Sequence, residues 1–142
     1  MNHHARILAH YSLVEWDRAR WPNFSPAEFA CNHCGELYWA PAVFDMAQRV
    51  RTLLGKPIRF NSAHRCWLHN AAVGGAPKSE HKKIALDIST NGHDRRALLK
   101  ACQKAGFTTF GFYSTFLHTD PRPGRRWATK GGRRAWKDLL TF

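Results

Sequence analysis

The stretch Ser79-Glu80-His81-Lys82-Lys83-Ile84-Ala85-Leu86-Asp87 contains an imidazole and, a few residues on, a carboxylate, two side chains that metal ions bind. A third donor of this kind, His118, lies in Phe116-Leu117-His118-Thr119-Asp120. Two histidines and one carboxylate make up the donor set of a catalytic zinc that keeps its fourth position open for water. The expected cofactor is therefore Zn2+, held by His81, Asp87 and His118.

The chain must double back for these groups to meet, because six residues of extended chain cover roughly 20 Å. Lys82-Lys83 can form the bend, and Ile84-Ala85-Leu86-Asp87-Ile88 a short strand. Alternation along that strand puts Ile84, Leu86 and Ile88 on a core face and Ala85 and Asp87 on the other. His118 and Asp120 are two apart in another β-prone run, so they share a face and place a ligand beside a spare carboxylate.

The pattern Ser79-x-His81, Ala85-x-Asp87 and then His118-x-Asp120 resembles the M15 peptidases, which include D-alanyl-D-alanine carboxypeptidases and phage or bacterial cell-wall endopeptidases. Upstream, Ser62-Ala63-His64-Arg65, His69-Asn70 and Val73-Gly74-Gly75-Ala76-Pro77 resemble the segment preceding the first ligand in that family. Phe24-Ser25-Pro26-Ala27-Glu28-Phe29 and the region from Gly111-Phe112 to Trp127 also fit, so the likeness covers roughly residues 20–127. The chain departs from the family pattern in two places. One residue fewer separates His81 from Asp87, and Thr115 stands where many relatives carry an acid three residues before the last histidine.

The resemblance implies a zinc peptidoglycan peptidase, endopeptidase or D,D-carboxypeptidase, cutting amide bonds in stem peptides or cross-links in the manner of a phage-type endolysin or virion-associated lysin. Arg65 matches the family arginine that contacts substrate, and a guanidinium can bind an oxyanion or carboxylate through two parallel hydrogen bonds. Ser79 matches a second substrate-contacting position. Asp120 is the expected proton acceptor, with Glu80 in reserve; Asp120 can instead orient an imidazole by accepting its outer N–H. The two departures keep open an alternative, a non-catalytic module of the same fold that binds cell wall or nucleic acid.

At 142 residues, with 44% hydrophobic and 13% aromatic residues, the chain fits one globular domain, 1–142, with a real core. No apolar run is long enough to span a bilayer, and Met1-Asn2-His3-His4-Ala5-Arg6 does not read as an export signal. The expectation is synthesis in the cytoplasm and action in the cell wall or periplasm after release. A formal charge of +12, from 22 Lys and Arg against 10 Asp and Glu, suits a polyanionic neighbour. Much of the excess sits late, at Arg122, Arg125, Arg126, Lys130, Arg133, Arg134 and Lys137, so residues 128–142 read as a basic extension facing water or holding anionic wall polymers or lipid. Peptidoglycan is the expected partner and no obligate protein partner is implied. Nucleic acid is disfavoured, because Trp127 and Trp136 lie among basic residues without a recognisable reading helix. Cys31-Asn32-His33-Cys34 has metal-knuckle spacing but no second such pair follows. Reduced, partly buried thiols are the expectation for Cys31, Cys34, Cys66 and Cys102, with Cys66 as a third ligand the alternative.

The elements that must position the site follow from pattern. Apolar residues from Ile7 to Trp16 predict a helix over 5–19, and Ser25-Pro26-Ala27-Glu28 is a capping box opening a short helix through Ala30. Pro41 to Leu54 is the main helix, ended by Gly55 and Pro57. A strand over 57–62, a helical turn over 66–73, a helix beginning at Asn91–Asp94 and stopped by Gly106, and paired strands over 107–112 and 115–119 complete the reading. The sum is a small α+β domain whose helices pack on an antiparallel sheet that carries the site.

Overall fold

The computed structural model describes residues 6–76 and 79–142. His3, His4, Pro77 and Ala5, the first residue of the predicted N-terminal helix, lie outside the described residues.

Two helices build the floor of the domain. The helix α2 (Pro41–Leu54) starts with Pro at its first position, buries Val43, Phe44, Ala47 and Val50, and ends at Gly55, whose φ of 66° is the left-handed conformation glycine supplies without strain. The helix α4 (Arg95–Ala105) is capped by Asp94, which accepts a hydrogen bond from the Ala97 N–H at 2.9 Å, and buries Leu98, Leu99, Ala101, Cys102 and Ala105. Their apolar faces join one core with Ile84, Leu86, Ile88, Phe110, Phe112 and Leu117. The predicted capping box is present in α1 (Pro26–Phe29), where the Ser25 N–H donates to Glu28 Oε2 at 2.7 Å.

The main sheet runs in the order β3 (Phe60–Ser62), β4 (Leu86–Ser89), β6 (Phe116–Asp120), β5 (Thr109–Phe112), β7 (Arg126–Ala128). Pairings are antiparallel except β5 with β7, which is parallel, so the sheet is mixed rather than purely antiparallel. The reason is topological. The chain reverses after β6, which already opposes β5, so a strand that crosses to the far side of β5 must run in the same direction as β5.

Register aligns one row across the sheet: Asp87 faces His118, His118 faces Gly111, and Gly111 faces Trp127. Because side chains alternate, this row shares one face while Leu86, Ile88, Leu117, Phe110 and Phe112 enter the core behind it. Gly111 is required there. A Cβ at that position would lie 2.5 Å from the Trp127 ring.

The N-terminal helix predicted over 5–19 does not form in the described part. Arg6–Leu8 is instead a strand, β1, paired antiparallel with β2 (Leu37–Trp39), and Tyr11–Leu13 is a single 3-10 turn whose first N–H donates to Gly35 O at 2.9 Å. Strand pairing satisfies the backbone that a helix would have satisfied internally, and Trp16 serves the core from a loop, 4.6 Å from Trp21 and 5.3 Å from Phe44 between ring centroids. At the other end, the basic extension is folded. It supplies the last residue of β7, Ala128, and the short helix α5 (Lys130–Ala135), and Trp136, 1% exposed, donates its indole N–H to Tyr113 O at 2.8 Å.

Candidate metal centre

Three side chains from two strands and a turn converge where the sheet row begins. His81 comes from a 3-10 turn, Glu80–Lys82, which Ser79 caps by accepting the His81 N–H at 3.2 Å. Asp87 comes from β4 and His118 from β6, directly opposite. All three are buried, and a donor atom from each lies within 4.8 Å of the others. Asp87 stands between the imidazoles, Oδ2 at 3.1 Å from His81 Nε2 and Oδ1 at 3.0 Å from His118 Nδ1.

The outer nitrogens are held from behind. His81 Nδ1 is 2.6 Å from the carbonyl oxygen of Ala63, and His118 Nε2 is 2.7 Å from Asp120 Oδ2. Donating a proton to each of those acceptors leaves His81 Nε2 and His118 Nδ1 with lone pairs aimed at a carboxylate, an arrangement of three acceptors that a cation among them completes. Such backing of ligand imidazoles by a carbonyl or carboxylate is how proteins fix the tautomer of a metal-binding histidine. His81, Asp87 and His118 thus fit a zinc ion in donor type, burial and backing.

Between the protein groups themselves, carboxylates and imidazoles shift one another's protonation. Burial pushes the Asp87 carboxyl up, but the His118 and His81 imidazoles outweigh it and hold it below the usual carboxylate range. Burial pulls His118 down, and its bonds to Asp120 and Asp87 more than reverse this, so the net direction is upward.

Asp120 lies behind His118 and is not among the residues lining the cleft over the three ligands. It is fully buried, Oδ2 takes His118 Nε2 and Arg122 Nη2 at 2.7 and 2.6 Å, and Oδ1 takes the Arg122 N–H and Nε, both at 2.9 Å. Burial raises its pKa, and the hydrogen bonds from His118 and Arg122 drive it far below the usual value. Every oxygen is committed, which is the geometry of a group that orients an imidazole.

A cleft of about 480 Å³ opens over the three ligands, and Glu80, Arg65 and Ser79 line it. The Arg65 Nη2 donates to Ser79 Oγ at 3.1 Å, while its Nε is buried and finds no partner among the described residues. Glu80 Oε2 lies 3.8 Å from Arg122 Nε. His64, next to Arg65, is spent on structure: its ring bridges Glu36 Oε1, at 2.7 Å, and the carbonyl of Lys83.

Sequence reading passed over Arg122, Tyr113 and Trp127 as site residues. Trp127 forms a wall of the cleft, 5.0 Å from the His118 ring between centroids, with its indole N–H donated to Tyr113 Oη at 3.1 Å. Its position depends on the parallel pairing of β7, which no local pattern announces. Arg122 had a signal, a cation two residues beyond Asp120, but it was counted with the basic surface.

Comparison with curated proteins finds no match. A family model described as Peptidase M15 matches residues 22–120, a span that contains all three ligands, Arg65, Ser79 and Asp120. With the ligand set gathered at one point of the sheet and the match covering most of the chain, the protein belongs to the M15 peptidases, a family of zinc-dependent metallopeptidases.

Proposed function

We propose that this chain is a zinc-dependent peptidoglycan peptidase that hydrolyses an amide bond in stem peptides or their cross-links, acting in the bacterial cell wall as a phage-type lysin. The observation that carries the reading is the juxtaposition of the His81, Asp87, His118 cluster with the half-buried Arg65 guanidinium, whose Nε is buried without a partner among the described residues, in one open cleft. Stem peptides are anionic, and Arg65 offers a fixed fork to a peptide carboxylate or to the oxyanion that develops when an amide is attacked.

His81, Asp87 and His118 would hold the zinc ion, which would supply Lewis acidity toward water and the scissile carbonyl. The protein supplies the rest. Ser79 Oγ accepts from Arg65 and fixes the guanidinium plane toward the cleft. Glu80 lines the cleft beside Arg122 and is not one of the three ligands, and its Oε atoms take the proton from the attacking water and return it to the leaving amine. Asp120, clamped by Arg122, holds the His118 ring in its binding orientation. Trp127 and Tyr113 exclude water from one side.

The exposed cations Arg126, Lys130, Arg133, Arg134 and Lys137 lie outside the cleft lining and suit retention on anionic wall polymers or lipid. Mass spectrometry of fragments released from purified peptidoglycan by the zinc-loaded protein, with His81→Ala as control, tests the reading and identifies the bond. New amino termini within stem peptides are expected. Release of no fragment by wild type at full zinc occupancy refutes it.

A further inference from the structure

The loop leading from α1 to β2 and the start of α3 (Trp67–Ala72) bring together three cysteines that the catalytic reading does not use. The sulfurs of Cys31, Cys34 and Cys66 lie within 4.8 Å of one another, and none is in a disulfide. Cys31-Asn32-His33-Cys34-Gly35 is folded as a tight knuckle: Gly35, at φ 79°, donates its N–H to Cys31 O at 2.9 Å. Cys31 Sγ accepts the N–H groups of His33 and Cys66, both at 3.4 Å, and Cys66 Sγ accepts the His69 N–H at 3.3 Å. Backbone N–H groups thus point at the sulfurs of both Cys31 and Cys66.

Around a tetrahedral zinc with Zn–S of about 2.3 Å and Zn–N of about 2.0 Å, a sulfur and a nitrogen ligand sit about 3.5 Å apart. His33 Nδ1 is 3.7 Å from Cys66 Sγ, and the His69 ring stacks on His33 with centroids 5.5 Å apart.

We propose that Cys31, Cys34 and Cys66, with His33 as fourth ligand, hold a second zinc ion. Three thiolates and an imidazole close the coordination sphere, so this ion is structural. Its place explains its use. Cys66 follows Arg65 directly, and the Arg65 N–H donates to His81 O at 2.6 Å, so the clamp fixes the segment that carries the substrate arginine and backs the catalytic ligand. The proposal stands apart from the peptidase reading, since none of its ligands belongs to the cleft.

Elemental analysis of protein made with zinc and purified under reducing conditions tests it, with circular dichroism to confirm folding. The wild type is expected to hold a second equivalent of zinc, lost in Cys34→Ser, whose side chain is exposed and replaceable, and kept in His81→Ala. Cobalt substitution should give intense thiolate-to-cobalt charge-transfer absorption in wild type and His81→Ala, reduced severalfold in Cys34→Ser. His33→Ala should weaken cobalt binding at this site at least tenfold and His69→Ala far less. Equal zinc in wild type and Cys34→Ser overturns the proposal, as does a thiol count showing a disulfide within the cluster. A larger loss in His69→Ala than in His33→Ala overturns the four-ligand assignment.

Discussion

Replacing Asp120 by Asn separates orientation from proton transfer. In the native site Asp120 Oδ2 accepts from both His118 and Arg122, and Oδ1 accepts twice from Arg122. An amide has only one oxygen, so in either orientation its NH2 faces N–H donors. If His118 loses its acceptor, its ring is no longer fixed; if Arg122 does, a buried donor goes unmet at about 1–3 kcal/mol. Loss of a group backing a metal ligand typically weakens metal binding about 10- to 100-fold, or about 1.4–2.7 kcal/mol. Zinc affinity of Asp120→Asn, measured against a competing chelator in a Cys34→Ser background so that one site titrates, should fall by that factor. Much of the turnover should return at saturating zinc. Glu80→Gln should do the reverse, keeping zinc and losing about 100- to 10,000-fold in kcat, the range of general acid–base catalysis. Unchanged zinc affinity with turnover abolished in Asp120→Asn would make Asp120 the base and refute the orienting role.

Three further outcomes are expected. Gly111→Ala places a Cβ 2.5 Å from the Trp127 ring; overpacking of this kind costs about 1–3 kcal/mol, and KM should rise with a shift in tryptophan emission, both absent if the cleft wall is unimportant. Trp136→Ala removes a side chain that is 1% exposed and packs edge-on against Phe112; thermal unfolding should show a loss of about 3–5 kcal/mol, and an unchanged midpoint would mean the C-terminal segment is dispensable. Changing Lys130, Arg133, Arg134 and Lys137 to Gln should weaken binding to intact wall at low salt, less so at high salt because charges are screened over about 10 Å at 0.1 M. Cleavage of a small soluble muropeptide should stay within about twofold, since these exposed side chains lie off the cleft; parallel loss of that activity would place them in the active cleft.

What the sequence showed best were features whose causes are local. The helix over 41–54 has the limits read from Pro41 and Gly55, and the capping box at Ser25 lies where its four residues put it. Strand parity correctly placed Asp87 opposite Ile88, and His118 beside Asp120, because a period of two needs no tertiary information. The failures have long-range causes. Ile7 to Trp16 has apolar spacing compatible with a helix, but β2 claims Arg6–Leu8 and the Trp21, Phe44 cluster claims Trp16. The parallel β5–β7 pair and the burial of Trp136 depend on how the chain crosses the sheet. Asp120 was legible as a site residue, but its role turned on Arg122, whose fork satisfies both oxygens and whose charge alone had suggested surface.

The shortened loop between His81 and Asp87 is the departure from the family pattern that bears most directly on metal binding, and the backbone shows how it is accommodated. The 3-10 turn Glu80–Lys82 packs the reversal into three residues, and Lys83, at φ −107° and ψ −102°, completes it before β4 begins. Tight turns of this kind hold their shape poorly alone. Here each flank is tied to the segment of Ala63, His64 and Arg65: the Arg65 N–H bonds to His81 O, the His81 ring to Ala63 O, and the His64 ring to the Lys83 carbonyl. Position of the first ligand therefore depends on the 63–65 segment more than on the length of the loop itself. That segment is in turn joined through Cys66 to the cysteine cluster and through His64 to Glu36, so the catalytic ligands rest on the same joint that a second zinc would brace.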